Sequence, residues 1–136
     1  MSISITILQR ALDSLEKGLV RAQKSPSDLE VRDACIQRFE YTYELCIKLI
    51  KRYIEQEMPV PEPVDQLNYR DLLRIAYEIG LLRAVEPWFQ YREARNQTSH
   101  AYDENKAKNV YQCLPDFAQD THFVLSELGK RLRICK

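Results

Sequence analysis

The stretch LEVRDACIQRFEYTYELCIKLIKRYIEQE, residues 29–57, decides the fold. Cys35, Phe39, Thr42, Cys46, Leu49 and Tyr53 recur at three- and four-residue steps, and Ile36, Tyr43, Ile47, Ile50 and Ile54 form a second stripe beside the first. That is the period of an α-helix and not the alternation of a strand. A helix apolar over so wide an arc needs more than one neighbour to bury it. The core of the same chain and a second subunit both qualify, and the pattern leaves open which of them takes Tyr43, Ile47, Ile50 and Ile54.

Outward from this helix the periodicity continues. Ile7, Leu8, Ala11, Leu12, Leu15 and Leu19 predict a helix over about 5–24, and Ser25-Pro26-Ser27-Asp28 breaks it, with Ser27 or Asp28 placed to cap the helix that follows. Beyond residue 57, Pro59, Pro61 and Pro63 predict an extended, polyproline-like link on the surface. A short helix over about 69–79 turns Leu72, Leu73 and Ala76 inward and stops at Gly80. A fourth helix begins near Ala84 and carries Val85, Trp88, Phe89 and Tyr91. A fifth runs over about 103–133, with Pro115 expected to kink or split it. The expectation is an all-α, up-and-down helical bundle of about five helices, with residues 1–136 forming one domain.

Composition narrows the function classes. Only 3 glycines are present, too few for the turns of a sheet-rich fold. No apolar run approaches the ~20 residues needed to cross a bilayer, so no membrane role is expected. The first residues lack the basic and apolar regions of a secretory signal, so a cytoplasmic location is expected. Cys35, Cys46, Cys113 and Cys135 form no C-x-x-C pair and neither histidine lies near them, so no metal site is expected and they read as small core hydrophobes. Cys35 and Cys46 stand roughly 16 Å apart on one helix, too far to bridge. The 20 basic and 20 acidic residues cancel, whereas a nucleic-acid protein usually carries a basic excess. Lys130, Arg131, Arg133 and Lys136 make a locally basic tail that reads as a solvated helix end.

One segment has the residue types for phosphate chemistry: Arg95-Asn96-Gln97-Thr98-Ser99-His100-Ala101-Tyr102. Histidine exchanges protons near neutrality, and arginine stays charged and grips two phosphate oxygens in parallel. Together they suit cleavage of an RNA phosphodiester without a metal, one group aiding attack by the 2′-hydroxyl and the other stabilising charge at phosphorus. Asn96 is a candidate supporting group, and Tyr102 offers a phenol. On one straight helix a five-residue step turns through about 500°, so Arg95 and His100 would diverge by roughly 140°. They can share a site only if the helix ends between them, and the poor helix formers among Asn96, Gln97, Thr98 and Ser99 suit such an end, with Asp103 then able to cap the next helix. A helix-end arginine, a turn-capping histidine and a core tyrosine fit the same residues.

Other residues have plainer readings. His122 is expected to be structural, and Trp88, Phe89 and Tyr91 are expected to pack in the core or a dimer contact rather than to stack on bases. Glu40 and Glu44 lie one turn apart with Lys48 continuing the row, which reads as an exposed ion-paired face.

The uninterrupted R-x4-H-x-Y spacing of Arg95, His100 and Tyr102, together with Gln37-Arg38-Phe39-Glu40-Tyr41-Thr42-Tyr43-Glu44-Leu45, resembles the HEPN family, in particular its HepT branch, also known as nucleotidyltransferase substrate-binding proteins. The resemblance covers most of the chain. It implies a helical bundle that forms a homodimer, with the two motif segments meeting near the interface. It implies a metal-independent ribonuclease toxin in which Arg95 holds the phosphate and the transition state, His100 serves as acid and base, and Asn96 supports them. It further implies that Tyr102 is adenylylated by a partner antitoxin, a minimal nucleotidyltransferase, placing bulk and negative charge beside Arg95. The alternative within the same family is a non-catalytic nucleotide- or substrate-binding subunit of a two-component nucleotidyltransferase.

Overall fold

The computed structural model describes residues 4–57 and 63–134. Three of the five α-helices among the described residues start at a capping side chain. α1 (Thr6–Lys24) buries Leu8, Ala11, Leu12, Leu15 and Ala22, the face its apolar spacing defines. α2 (Leu29–Glu57) starts where the Asp28 carboxylate accepts the Glu30 and Val31 amides at 3.0 and 3.2 Å. A 3-10 turn at Val64–Gln66 leads to α3 (Tyr69–Glu78), capped by the Asn68 side chain on the Asp71 amide at 2.8 Å. Gly80, at φ 88°, closes α3: the Leu81 amide reaches back to the Ala76 carbonyl and the Gly80 amide to that of Tyr77. α4 (Glu86–Gln97) carries Pro87 in its first turn, where a missing N–H costs nothing. α5 (Glu104–Ile134) begins at the Asp103 carboxylate, which accepts the Asn105 and Lys106 amides at 3.0 and 3.3 Å.

No strand is found among the described residues, and the chain is an all-α bundle. Both apolar stripes of α2 are occupied within the monomer. Cys35, Phe39, Cys46, Leu49 and Tyr53 are buried, and so are Tyr43, Ile50 and Ile54 of the second stripe. Only Ile47 is half-buried. Pro115 does not split α5, contrary to the stronger form of the expectation. Its ring is exposed, while Leu114, Phe117 and Ala118 beside it are buried against the core, and that burial outweighs the one lost hydrogen bond. Pro59 and Pro61 of the expected link lie outside the described residues, whereas Pro63 has the extended backbone of polyproline, φ −55° and ψ 138°. Of the basic tail, Lys130 and Arg131 pair with Glu127 on the same helix, and Lys136 lies outside the described residues.

Phe117 on α5 is the hub of the core. Its ring meets Phe39 edge-on at 4.8 Å between centroids, Tyr91 at 5.2 Å and Trp88 at 6.0 Å. These contacts tie α2 and α4 to α5, and they place Trp88 and Tyr91 in the core, as their helical spacing predicts. Two buried polar chains brace the same helices. Tyr43 donates to the Tyr69 hydroxyl at 2.8 Å, and Tyr69 donates to the Trp88 carbonyl at 2.8 Å. Asp120, 9% exposed, accepts from Arg83 and from the Tyr91 hydroxyl. Cys35 and Cys46 are buried free thiols, and burial pushes both upward in pKa.

The buried phenols predict an alkaline limit to stability. Burial pushes the hydroxyls of Tyr43, Tyr69 and Tyr91 above the ordinary tyrosine value. The unfolded chain sheds these protons near about pH 10 while the folded chain keeps them. Stability is therefore fully present below that pH and is lost as pH rises towards the folded values. Phenolate absorbance of these three residues should appear together with the loss of helical circular dichroism. Their complete ionisation with the helices intact would contradict the packing described.

Candidate functional site

The segment Arg95–Tyr102 forms the joint between α4 and α5. α4 ends at Gln97, and Thr98–His100 tightens into a 3-10 turn. The Asp103 amide then reaches back to the His100 carbonyl at 2.9 Å, and Asp103 caps α5. The helix thus ends between Arg95 and His100, as expected for a segment whose two residues share a site. Arg32 near the start of α2 anchors the far side of the joint, donating to Glu104 in the first turn of α5 at 2.8 Å.

Arg95 projects towards α2. Its Nε donates to Glu44 at 3.0 Å and its Nη2 to the same oxygen, while Nη1 lies 3.5 Å from Glu40. The Thr98 hydroxyl lies 2.7 Å from the Glu40 carboxylate and 2.8 Å from the Arg95 carbonyl, closing the last turn of α4 onto α2. The hydrogen bond with Glu44 holds the Arg95 guanidinium above its ordinary pKa. Its charge is secure and its direction is fixed, and an incoming phosphate must share it with two carboxylates.

His100 and Tyr102 are exposed, and Tyr102 at 85% is the most exposed large hydrophobic side chain among the described residues. The Nδ1 of His100 lies 3.3 Å from the Tyr102 hydroxyl, and the rings meet edge-on at 5.9 Å between centroids. Among the described residues no hydrogen bond joins Arg95 to His100, and exposed Asn96 bonds to neither. Within one chain the joint therefore brings His100 to Tyr102 and presents Arg95 separately. The exposure of Tyr102 rules out its reading as a core residue.

Sequence reasoning missed the partners of Arg95. Glu40 and Glu44 are ion-paired, but across to α4 rather than along their own helix to Lys48. Their one-turn spacing was the available signal, and only the packing of α2 against α4 shows which cation they meet. His122 is exposed and binds Glu16 at 2.8 Å, away from the joint, in keeping with a structural role. Among the described residues, no group of three or more His, Cys, Asp or Glu side chains is arranged to hold a metal ion. Among them too, no helix is long and apolar enough to cross a membrane.

Fold and site together define a class: an all-α bundle that presents an arginine, a histidine and an exposed tyrosine at one interhelical joint. The chain belongs to the family described as nucleotidyltransferase substrate binding protein like, whose model matches residues 4–130. It is 34% identical to a probable ribonuclease HepT of Haemophilus influenzae, over 95% of this chain and 94% of that protein. The resemblance to the HepT branch read from the motif therefore holds. The fold is shared with a Haemophilus influenzae structure described as a substrate binding domain of a nucleotidyltransferase, with a TM-score of 0.84 and 32% identity over 96% of this chain and 99% of that one. A Thermus thermophilus crystal structure matches with a TM-score of 0.73 and 30% identity, over 93% of this chain and 98% of that one.

Proposed function

We propose that this protein is a HEPN ribonuclease toxin of a type VII-like toxin–antitoxin pair, cutting RNA without a metal and silenced by adenylylation of Tyr102. The observation that carries the reading is the exposed joint, where Arg95, His100 and Tyr102 keep the R-x4-H-x-Y spacing and His100 contacts Tyr102. In this reading Arg95 binds the scissile phosphate and stabilises its developing charge. His100 moves the protons of the 2′-hydroxyl and the 5′-oxygen, and Asn96 supports the phosphate from the exposed face of α4. Two copies form a homodimer and bring their joints together, so that Arg95 and His100 of both copies surround one RNA phosphate. The partner is a cognate minimal nucleotidyltransferase. AMP on Tyr102 places a phosphate and a nucleoside beside His100 and blocks the RNA.

The test uses the full chain expressed without the partner. RNA cleavage should persist in EDTA. Incubation with the cognate nucleotidyltransferase and ATP should add AMP to Tyr102 and abolish cleavage. Tyr102→Phe should still cut RNA and should escape silencing. Absence of cleavage by the free protein, or a partner-bound Tyr102 that stays unmodified, would overturn the corresponding half of the proposal.

One observation favours a second reading, a non-catalytic subunit that presents a nucleotide to the nucleotidyltransferase: the charge of Arg95 is already engaged by Glu40 and Glu44. That reading expects calorimetric ATP binding by the two-protein complex and no cleavage by the free chain.

A further inference from the structure

The contact between His100 and Tyr102 bears on the modification as well as on RNA cleavage. A phenol is a weak nucleophile until its proton has somewhere to go. The Tyr102 hydroxyl stands in solvent at the tip of the joint, and its one hydrogen-bonding neighbour among the described residues is the Nδ1 of His100 at 3.3 Å. The turn that carries the two side chains is held by backbone and capping hydrogen bonds. The His100 carbonyl is tied to the Asp103 amide, Asp103 caps α5, and Arg32 holds Glu104 in the next turn. An imidazole held in hydrogen-bond reach of an exposed phenol is the arrangement expected of a general base and its nucleophile. The carboxylates around the joint are engaged elsewhere: Glu40 and Glu44 face Arg95, Asp103 accepts the first amides of α5, and Glu104 accepts from Arg32.

We propose that His100 is the general base for the adenylylation of Tyr102, so that this chain supplies part of the catalytic machinery of its own silencing. The inference rests on the reading of Tyr102 as the AMP acceptor. In the step, the Tyr102 Oη attacks the α-phosphorus of ATP. The bond from Oη to the α-phosphorus forms, the bond from the α-phosphorus to the bridging oxygen of the β-phosphate breaks, and pyrophosphate leaves. The phenol proton passes to Nδ1 of neutral His100 in its Nε2–H tautomer, and the exposed imidazolium returns it to solvent. One imidazole then serves both reactions. Silencing works best on a chain whose cleavage residue is intact, and the adduct forms against the group it must disable.

The test compares wild type, His100→Ala and His100→Gln, each as the full chain mixed with its cognate nucleotidyltransferase, ATP and magnesium, following AMP transfer by intact mass. Glutamine keeps a hydrogen-bonding group beside the phenol but takes up no proton. Both variants are expected to transfer AMP at least ~100-fold more slowly, the ordinary contribution of a positioned base. Their calorimetric affinity for the nucleotidyltransferase should be unchanged, so the loss lies in kcat. The wild-type rate should rise with pH through the range where imidazole loses its proton, and the variants should lack that rise. Added imidazole should restore part of the rate of His100→Ala. Transfer to both variants within about twofold of wild type, with the same pH profile, would overturn the inference and leave Tyr102 as the acceptor. A wild-type chain that receives no AMP would overturn the acceptor reading, and this inference with it.

Discussion

His100→Ala is expected to lower RNA cleavage by about 100- to 10,000-fold, the range for removing a positioned acid or base. Arg95→Ala is expected to cost about 100- to 1,000-fold, the range for removing a donor that stabilises transition-state charge. The two losses should differ in kind. Without His100 the pH–rate profile loses the limb set by the imidazole, and RNA binding is kept. Without Arg95 the profile keeps its shape while the rate falls and the salt dependence of binding weakens. Arg95→Lys should recover little, because a lysine ammonium lacks the planar fork that Arg95 presents between α4 and α2. Neither alanine variant should unfold the protein. His100 is exposed, and the ion pairs of Arg95 join side chains that are substantially solvated, worth at most about 1 kcal/mol. Unchanged cleavage and growth inhibition in a folded variant would show that the site is wrongly assigned.

Phe117→Ala is expected to be the most damaging core substitution, at about 3–5 kcal/mol. Against a total stability of about 5–15 kcal/mol, that is a large fraction. The reason is position as much as size. Phe117 is fully buried and meets aromatic rings from both α2 and α4. Removing it leaves a cavity between the helices whose registry sets Glu44 against Arg95, so the joint should loosen along with the core. Phe117→Leu keeps most of the volume and should cost under about 1.5 kcal/mol. Urea unfolding of the two variants measures both values. A loss below about 1 kcal/mol for the alanine would mean that the aromatic cluster does not hold the bundle together.

Much of the fold was legible because its signals are local. Asp28 and Asp103 cap helices where a carboxylate precedes an apolar-periodic run, and Gly80 ends α3 in the left-handed conformation that suits glycine. Pro115 misled for the opposite reason. The penalty of proline is local, whereas the burial of Leu114, Phe117 and Ala118 that offsets it is tertiary. The second stripe of α2 was ambiguous because periodicity gives a direction and not a partner. Tyr43, Ile50 and Ile54 turn out to be covered within the monomer.

The same division runs through the site. By itself the sequence determined its residue types, and the 3.6-residue period made a helix end between Arg95 and His100 the condition for the two to share a site. It also determined that Asp103 would start α5. Only the tertiary structure decided that Tyr102 stands in solvent with His100 at its hydroxyl, and that Arg95 turns to Glu40 and Glu44 on another helix. The physical reason is range. Caps and helical periods act over a few neighbouring residues, whereas an ion pair between residues 44 and 95 exists only once two helices have packed.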